Sequence, residues 1–168
     1  MSKVEIRRHG ERGKTNGNPY NVGKAFPSVT LELEEHEYID VSTLKGKYIL
    51  ISVVPDINTR VCSLSTKKFN QEADSFEYID FFTISTNSVE EQKNWCAAEG
   101  VERMKLLSDF NGQLGRELGI YIEETKTDAR SIWVLDKESR IVYRELIVEQ
   151  SDEPNYQKAL LFLKEHAK

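Results

Sequence analysis

The stretch Tyr48-Ile49-Leu50-Ile51-Ser52-Val53-Val54-Pro55-Asp56-Ile57-Asn58-Thr59-Arg60-Val61-Cys62 decides the architecture. Residues 48–54 are apolar on consecutive positions and rich in β-branched side chains, the pattern of a central strand covered on both faces. Pro55 ends that strand, because it cannot donate to a sheet ladder. After a short loop, Val61, Leu64, Phe69, Ala73 and Phe76 recur at helical spacing and predict a helix of about four turns. Cys62 falls in the first turn of that helix.

Further along the chain, Ile79 to Ser85 reads as a second buried strand. Ser88-Val89-Glu90-Glu91 has the Ser-x-x-Glu form of a capping box and opens a helix expected to reach Gly100. Leu106-Leu107 and Leu114 to Gly119 suggest a short strand and a short helix. Ser131 to Asp136 and Ile141 to Val148 are two strands close enough to form an antiparallel hairpin. A last helix follows Pro154, with Tyr156, Leu160, Leu163 and Ala167 on its apolar face.

Upstream of residue 48, Val29 to Leu33 alternates apolar and polar like a half-buried strand, and Tyr38 to Val41 is its expected partner. Residues 1–28, with Gly10, Gly13, Gly17 and Pro19 among charged side chains, read as an irregular or hairpin-like lead-in. The order is strand-helix-strand-helix, then strand-strand-helix. It predicts an α/β domain over residues 1–168: a central mixed sheet with helices on both sides, of thioredoxin-like type.

Composition narrows the chemistry. In 168 residues the apolar share is 39% and the charged share 30%, the balance of an ordinary globular chain with neither disorder nor repeats. A net charge of −5, with basic residues scattered among acidic ones, argues against nucleic acid as a partner. No apolar run approaches the ~20 residues of a membrane span, and the first twenty residues lack the apolar core of a secretory signal, so a cytoplasmic address is expected. In that compartment two cysteines mean buried thiols, a metal or redox chemistry. His9, His36 and His166 show no ligand spacing, so no metal is expected. Gly10-Glu11-Arg12-Gly13-Lys14-Thr15 has too few residues between its glycines for a phosphate loop.

Cys62 is the chemically pointed residue. The first turn of a helix carries unpaired N–H groups and the positive end of the dipole, and both favour a thiolate over a thiol. Thr59 is placed to turn its hydroxyl toward the sulfur, and Pro55 to close the pocket from above. Arg130, just before the strand from Ser131, is expected to project a fixed positive charge into the same pocket. Trp95 and Trp133 read as core or interface aromatics.

Pro-x-x-x-Thr-x-x-Cys over 55–62 resembles the active-site motif of peroxiredoxins. Val53-Val54-Pro55 through Cys62, followed by Thr66-Lys67-Lys68-Phe69-Asn70, resembles the thiol peroxidase subfamily. So do Trp95-Cys96-Ala97-Ala98-Glu99-Gly100, Ala129-Arg130 to Asp136, and Glu145-Leu146 through Pro154. The resemblance covers about residues 20 to 165 and leaves the first twenty poorly matched.

It implies a thioredoxin-like fold, a peroxidatic Cys62, a resolving Cys96, and Thr59 and Arg130 as activating partners with Pro55 shielding them. It also implies hydrogen peroxide and alkyl or lipid hydroperoxides as substrates, no cofactor, thioredoxin as reductant, and a homodimer. The two cysteines lie on separate predicted helices, so a disulfide between them requires the first turn near Cys62 to unwind. Asn58 stands where the subfamily leads one to expect aspartate, and Lys126-Thr127-Asp128 is a polar loop where it is apolar. A switched binding protein using the same disulfide without turnover is the competing expectation.

Overall fold

The computed structural model describes residues 5–8, 11–34, 36–73, 76, 78–99, 105–150 and 152–167. The first described element is a hairpin, β1 (Glu5–Arg8) antiparallel to β2 (Glu11–Lys14), in agreement with the expected lead-in. Next come β3 (Leu31–Glu34) and β4 (Glu37–Ile39), paired antiparallel with Leu31 opposite Ile39. Val41 lies outside this pair. It begins a short 3₁₀ turn, Val41–Thr43, because the Asp40 carboxylate accepts the Ser42 N–H and pulls the chain out of the extended form.

The framework follows as β5 (Tyr48–Val53), α1 (Arg60–Ala73), β6 (Ile79–Ser85), α2 (Val89–Glu99), β7 (Lys105–Ser108) and α3 (Gln113–Leu118). The end expected for α2 at Gly100 lies outside the described residues. A small hairpin of β8 (Tyr121–Ile122) and β9 (Thr127–Asp128) precedes β10 (Ser131–Leu135), β11 (Ile141–Leu146) and α4 (Tyr156–His166). Thr127 and Asp128, read from sequence as part of a polar loop, are thus a paired strand, and Asp128 is fully buried.

The main sheet has seven strands in the order β11-β10-β5-β6-β7-β3-β4. β5, β6 and β7 run parallel, as two strand-helix-strand crossovers require, while β10, β11, β3 and β4 join antiparallel. Adjacent residues of each central strand feed opposite cores. Leu50, Ile132 and Val134 pack with Phe69 of α1, Trp95 of α2 and Leu160 and Leu163 of α4. Ile49, Ile51, Trp133 and Leu135 pack on the other face with Leu114 and Leu118 of α3 and with Ile6 of the first hairpin. Both tryptophans are core residues, and the Trp133 indole N–H donates to Ser131 Oγ at 2.8 Å.

Two registers set up the site. Val53 at the end of β5 stands opposite Ser131 of β10, and Ser131 stands opposite Leu146 of β11. The residues just outside the ladder therefore gather at one sheet end: Pro55 onward, Arg130, and Ile147 onward. It is also the carboxyl end of the parallel strands, where open α/β sheets carry their sites.

Candidate active site

Helix α1 starts where Ser63 N–H donates to Thr59 O at 2.9 Å. Cys62 is consequently in the first turn, where an N–H has no partner within the helix. Its carbonyl is heavily engaged instead: Ser65 Oγ donates to it at 3.1 Å and Thr66 Oγ1 at 2.8 Å. Such bonds from side chains compete with the helical ladder and loosen a turn locally.

The Cys62 side chain is wholly buried, and Arg130 Nη2 donates to its Sγ at 3.1 Å. Arg130 is itself only 3% exposed and forms no ion pair with a carboxylate among the described residues. A buried guanidinium needs hydrogen-bond partners to offset its desolvation, and two are found in the Cys62 sulfur and the main-chain oxygen of Gln150. Arg130 Nη1 has no hydrogen-bond partner among the described residues, which leaves a donor beside the sulfur available to an incoming oxygen.

Thr59 is half-buried, and its hydroxyl proton goes to Asp56 O at 2.9 Å, not toward the sulfur as the spacing suggests. The loop before α1 closes on itself at that point, which leaves the hydroxyl lone pairs as acceptors. Pro55 is buried where β5 leaves the sheet, and Val54 N–H still bonds Ile84 O at 2.9 Å.

Asn87, which the sequence does not single out, holds this loop. Its Oδ1 accepts Ile57 N–H at 2.8 Å, and its Nδ2 donates to Asp56 Oδ1 at 3.0 Å and Glu91 Oε2 at 3.1 Å. Asn58 Nδ2 reaches the same Glu91 oxygen at 3.4 Å. An aspartate at 58 would face the Glu91 carboxylate, so the amide found there suits its surroundings. Ser88 caps the helix as expected, its Oγ accepting Glu91 N–H at 3.2 Å, while Glu91 Oε1 accepts the Ser88 hydroxyl at 3.4 Å in place of the main-chain N–H of a full capping box.

Cys96 sits on α2, half-buried at the margin of the cluster that encloses Cys62, and both thiols are free. Burial pushes the Cys96 thiol up. Beside it runs a groove of about 840 Å³ whose lining includes Val89, Gln92, Lys93, Leu106 and the exposed ring of Phe110. Tyr156 of α4 packs edge-on against Phe69 at 5.2 Å. Burial, then the charge and hydrogen bond of Glu153, push its phenol up, while Arg130 and Ser65 pull it back.

Among the described residues, no group of three or more histidines, cysteines and carboxylates is arranged to hold a metal ion, and no helix is long and apolar enough to cross a membrane.

Solved structures of the same shape are peroxiredoxins. A peroxiredoxin-like protein from Aquifex aeolicus superposes with a TM-score of 0.90 at 25% identity, covering 98% of this chain and 99% of that one. A thiol peroxidase from Chromobacterium violaceum does so with a TM-score of 0.88, covering 98% of both, and at 16% identity it speaks to the fold alone. The fold is thus the thioredoxin-like fold of the peroxiredoxins.

A thiol peroxidase from Bacillus subtilis (strain 168) is 36% identical over 145 residues, 86% of this chain and 87% of that protein. One from Oceanobacillus iheyensis is 38% identical over 148 residues, 88% of this chain and 90% of that protein. The model of the AhpC/TSA family matches residues 22–144, and the chain belongs to that family. It is a peroxidase of the thiol peroxidase kind, an oxidoreductase that reduces peroxides.

Proposed function

We propose that the chain reduces hydroperoxides with the thiolate of Cys62 and completes each cycle through a disulfide with Cys96. The observation that carries this reading is the buried Arg130 guanidinium, with one terminal nitrogen on Cys62 Sγ and the other without a hydrogen-bond partner among the described residues. The thiolate attacks one peroxide oxygen and the O–O bond breaks. The other oxygen leaves as alkoxide or hydroxide and takes a proton to become alcohol or water, while the sulfur becomes a sulfenic acid. Arg130 Nη1 is positioned to donate to the peroxide oxygen on which charge develops. Pro55 walls the pocket, and the Thr59 oxygen is left to accept a hydrogen bond from the peroxide O–H.

Cys96 sulfur then displaces hydroxide from the sulfenic sulfur, which leaves as water, and a Cys62–Cys96 disulfide forms. The loosened first turn of α1, whose carbonyl at Cys62 is drawn to two hydroxyls, is the segment that opens for this. A dithiol protein, thioredoxin, returns both thiols by exchange, approaching Cys96 along its adjoining groove. Hydrogen peroxide and organic or lipid hydroperoxides are the substrates, with no cofactor, in a cytoplasmic homodimer built from this one domain.

The test is consumption of hydrogen peroxide coupled to thioredoxin, its reductase and NADPH. The intact protein consumes many equivalents per chain; Cys62→Ser consumes none, and Cys96→Ser consumes about one and stops. Full turnover by Cys62→Ser sinks the assignment. Arrest of the intact protein after one equivalent identifies a redox switch instead of an enzyme using this donor.

A further inference from the structure

The segment after β11 reaches Arg130 by register, since Leu146 is opposite Ser131 and the next residues run past the arginine. Ile147 N–H donates to Arg130 O at 3.0 Å. Gln150, 4% exposed, supplies the remaining contacts. Its side-chain Oε1 accepts Arg130 N–H at 2.6 Å and its main-chain O accepts Arg130 Nε–H at 2.8 Å. Its Nε2 donates to Ile147 O, closing the turn that carries it. Arg130 is therefore held at both main-chain polar groups and at Nε. Because a guanidinium is planar, fixing Nε and the main chain fixes the plane in which the two terminal nitrogens lie.

Gln150 is in turn backed by the first hairpin. Its N–H donates to Arg7 O at 2.6 Å, and Arg7 N–H donates to Val148 O at 2.7 Å. Arg7 and Glu149 form an isolated parallel bridge. The hairpin stands directly behind the clamp.

We propose that Gln150 is a positioning residue, clamping Arg130 so that Nη2 lies on Cys62 Sγ and Nη1 is presented to the peroxide, with β1 as the brace behind it. This rests on the reading of Cys62 as nucleophile and Arg130 as its partner. Gln150→Met keeps length and bulk but removes both polar atoms of the side-chain amide, so Arg130 N–H loses its acceptor and the turn loses its closing bond. The main-chain acceptor survives, so the loss is partial.

The test is the second-order rate constant of the reduced protein with hydrogen peroxide, measured for the wild type, Gln150→Met, Arg130→Met and the double variant. Misplacement of a reacting group by about 1 Å costs up to 10²-fold, and a partial loosening is expected to cost about tenfold in the presence of Arg130. In the Arg130→Met background Gln150→Met should change the rate less than twofold, because nothing remains to be positioned. Equal losses in both backgrounds, or no loss in either, overturn the proposal.

A second measurement needs no variant. The Arg130 Nε–H of the wild type should exchange with solvent slowly enough to give a resolved nitrogen–proton cross-peak, and exchange at the rate of a free arginine overturns the clamp. If Cys62→Ser or Arg130→Met retains the wild-type rate, the underlying reading fails; if both lose it while Gln150→Met does not, only the clamp fails.

Discussion

The two cysteines lie in one apolar cluster yet in opposite kinds of surroundings. Cys62 is fully buried, in contact with a guanidinium, at a helix start whose preceding loop is tied down by Asn87 and Asp56. Cys96 is half-buried on a helix that buries only Gln92 and Trp95, and burial pushes its thiol up. The difference teaches a division of labour. The proposed nucleophile is preorganised by neighbours fixed before any substrate arrives, whereas the proposed resolving thiol is an ordinary one that has to be met by an opening segment. The helices that carry them are linked: Lys67 Nζ on α1 pairs with Glu99 Oε2 on α2 at 2.7 Å, and Asn87 joins the Cys62 loop to Glu91.

The largest break in this contrast comes from Arg130→Met, which makes the surroundings of Cys62 resemble those of Cys96. Loss of one charge-stabilising donor costs about 10²–10³-fold in rate. The rate constant with hydrogen peroxide should fall by that amount in stopped-flow measurements, while the disulfide-forming step keeps its rate.

Next is Asn87→Ala, which removes the tie without touching either sulfur. The buried Ile57 N–H loses its acceptor, and an unpartnered buried donor costs about 1–3 kcal/mol. Urea denaturation should show that loss. Disulfide formation after oxidation should become faster, because the loop before α1 is released.

A smaller effect sharpens the picture of Cys96. With its thiol pushed up by burial, its ionised fraction near neutrality lies on the rising limb and climbs about tenfold per pH unit. The rate of disulfide formation should therefore rise by about that factor between pH 7 and pH 8, followed by intrinsic fluorescence after mixing with peroxide. A profile flat over that range assigns the slow step to the opening of α1.

The smallest effect concerns the strand leading to Arg130. Asp128 is wholly buried against Gly115, and neither of its oxygens has a partner among the described residues within ordinary hydrogen-bond limits. Burial first, then the charge and proximity of Asp109, push its carboxyl well above the usual range, opposed by Arg116. The folded state thus holds this proton more tightly than the unfolded chain. The stabilisation is full below about pH 4, where both states are protonated, and is lost as pH rises toward the folded-state value. Asp128→Asn should remove that slope, raising stability at pH 8 relative to pH 4 in urea titrations.

Much of this was legible beforehand where the signal is local. The unbroken apolar run at 48–54 identified β5, the capping box identified the start of α2, and the Pro-x-x-x-Thr-x-x-Cys spacing placed Cys62 in a first turn. Arg130 is placed by its position just before β10, and the family resemblance sets it apart from a surface arginine. Asn87 carried one faint sign, a polar residue just past the carboxyl end of a buried parallel strand. Gln150 carried none, because its partner is twenty residues away and only the β10–β11 register brings them together. The spacing puts Thr59 on the turn before Cys62, but that its hydroxyl donates to Asp56 O is decided by how the loop closes.

By itself the amino-acid order determined the strands, the helices and the residue at which a nucleophile begins a helix, because hydrophobic period, proline and capping chemistry act over a few neighbouring residues. Tertiary structure decided what touches that nucleophile. The guanidinium at 3.1 Å, the amide clamp behind it and the tie across to α2 all depend on strand registers that join distant segments, and register is a property of the assembled sheet.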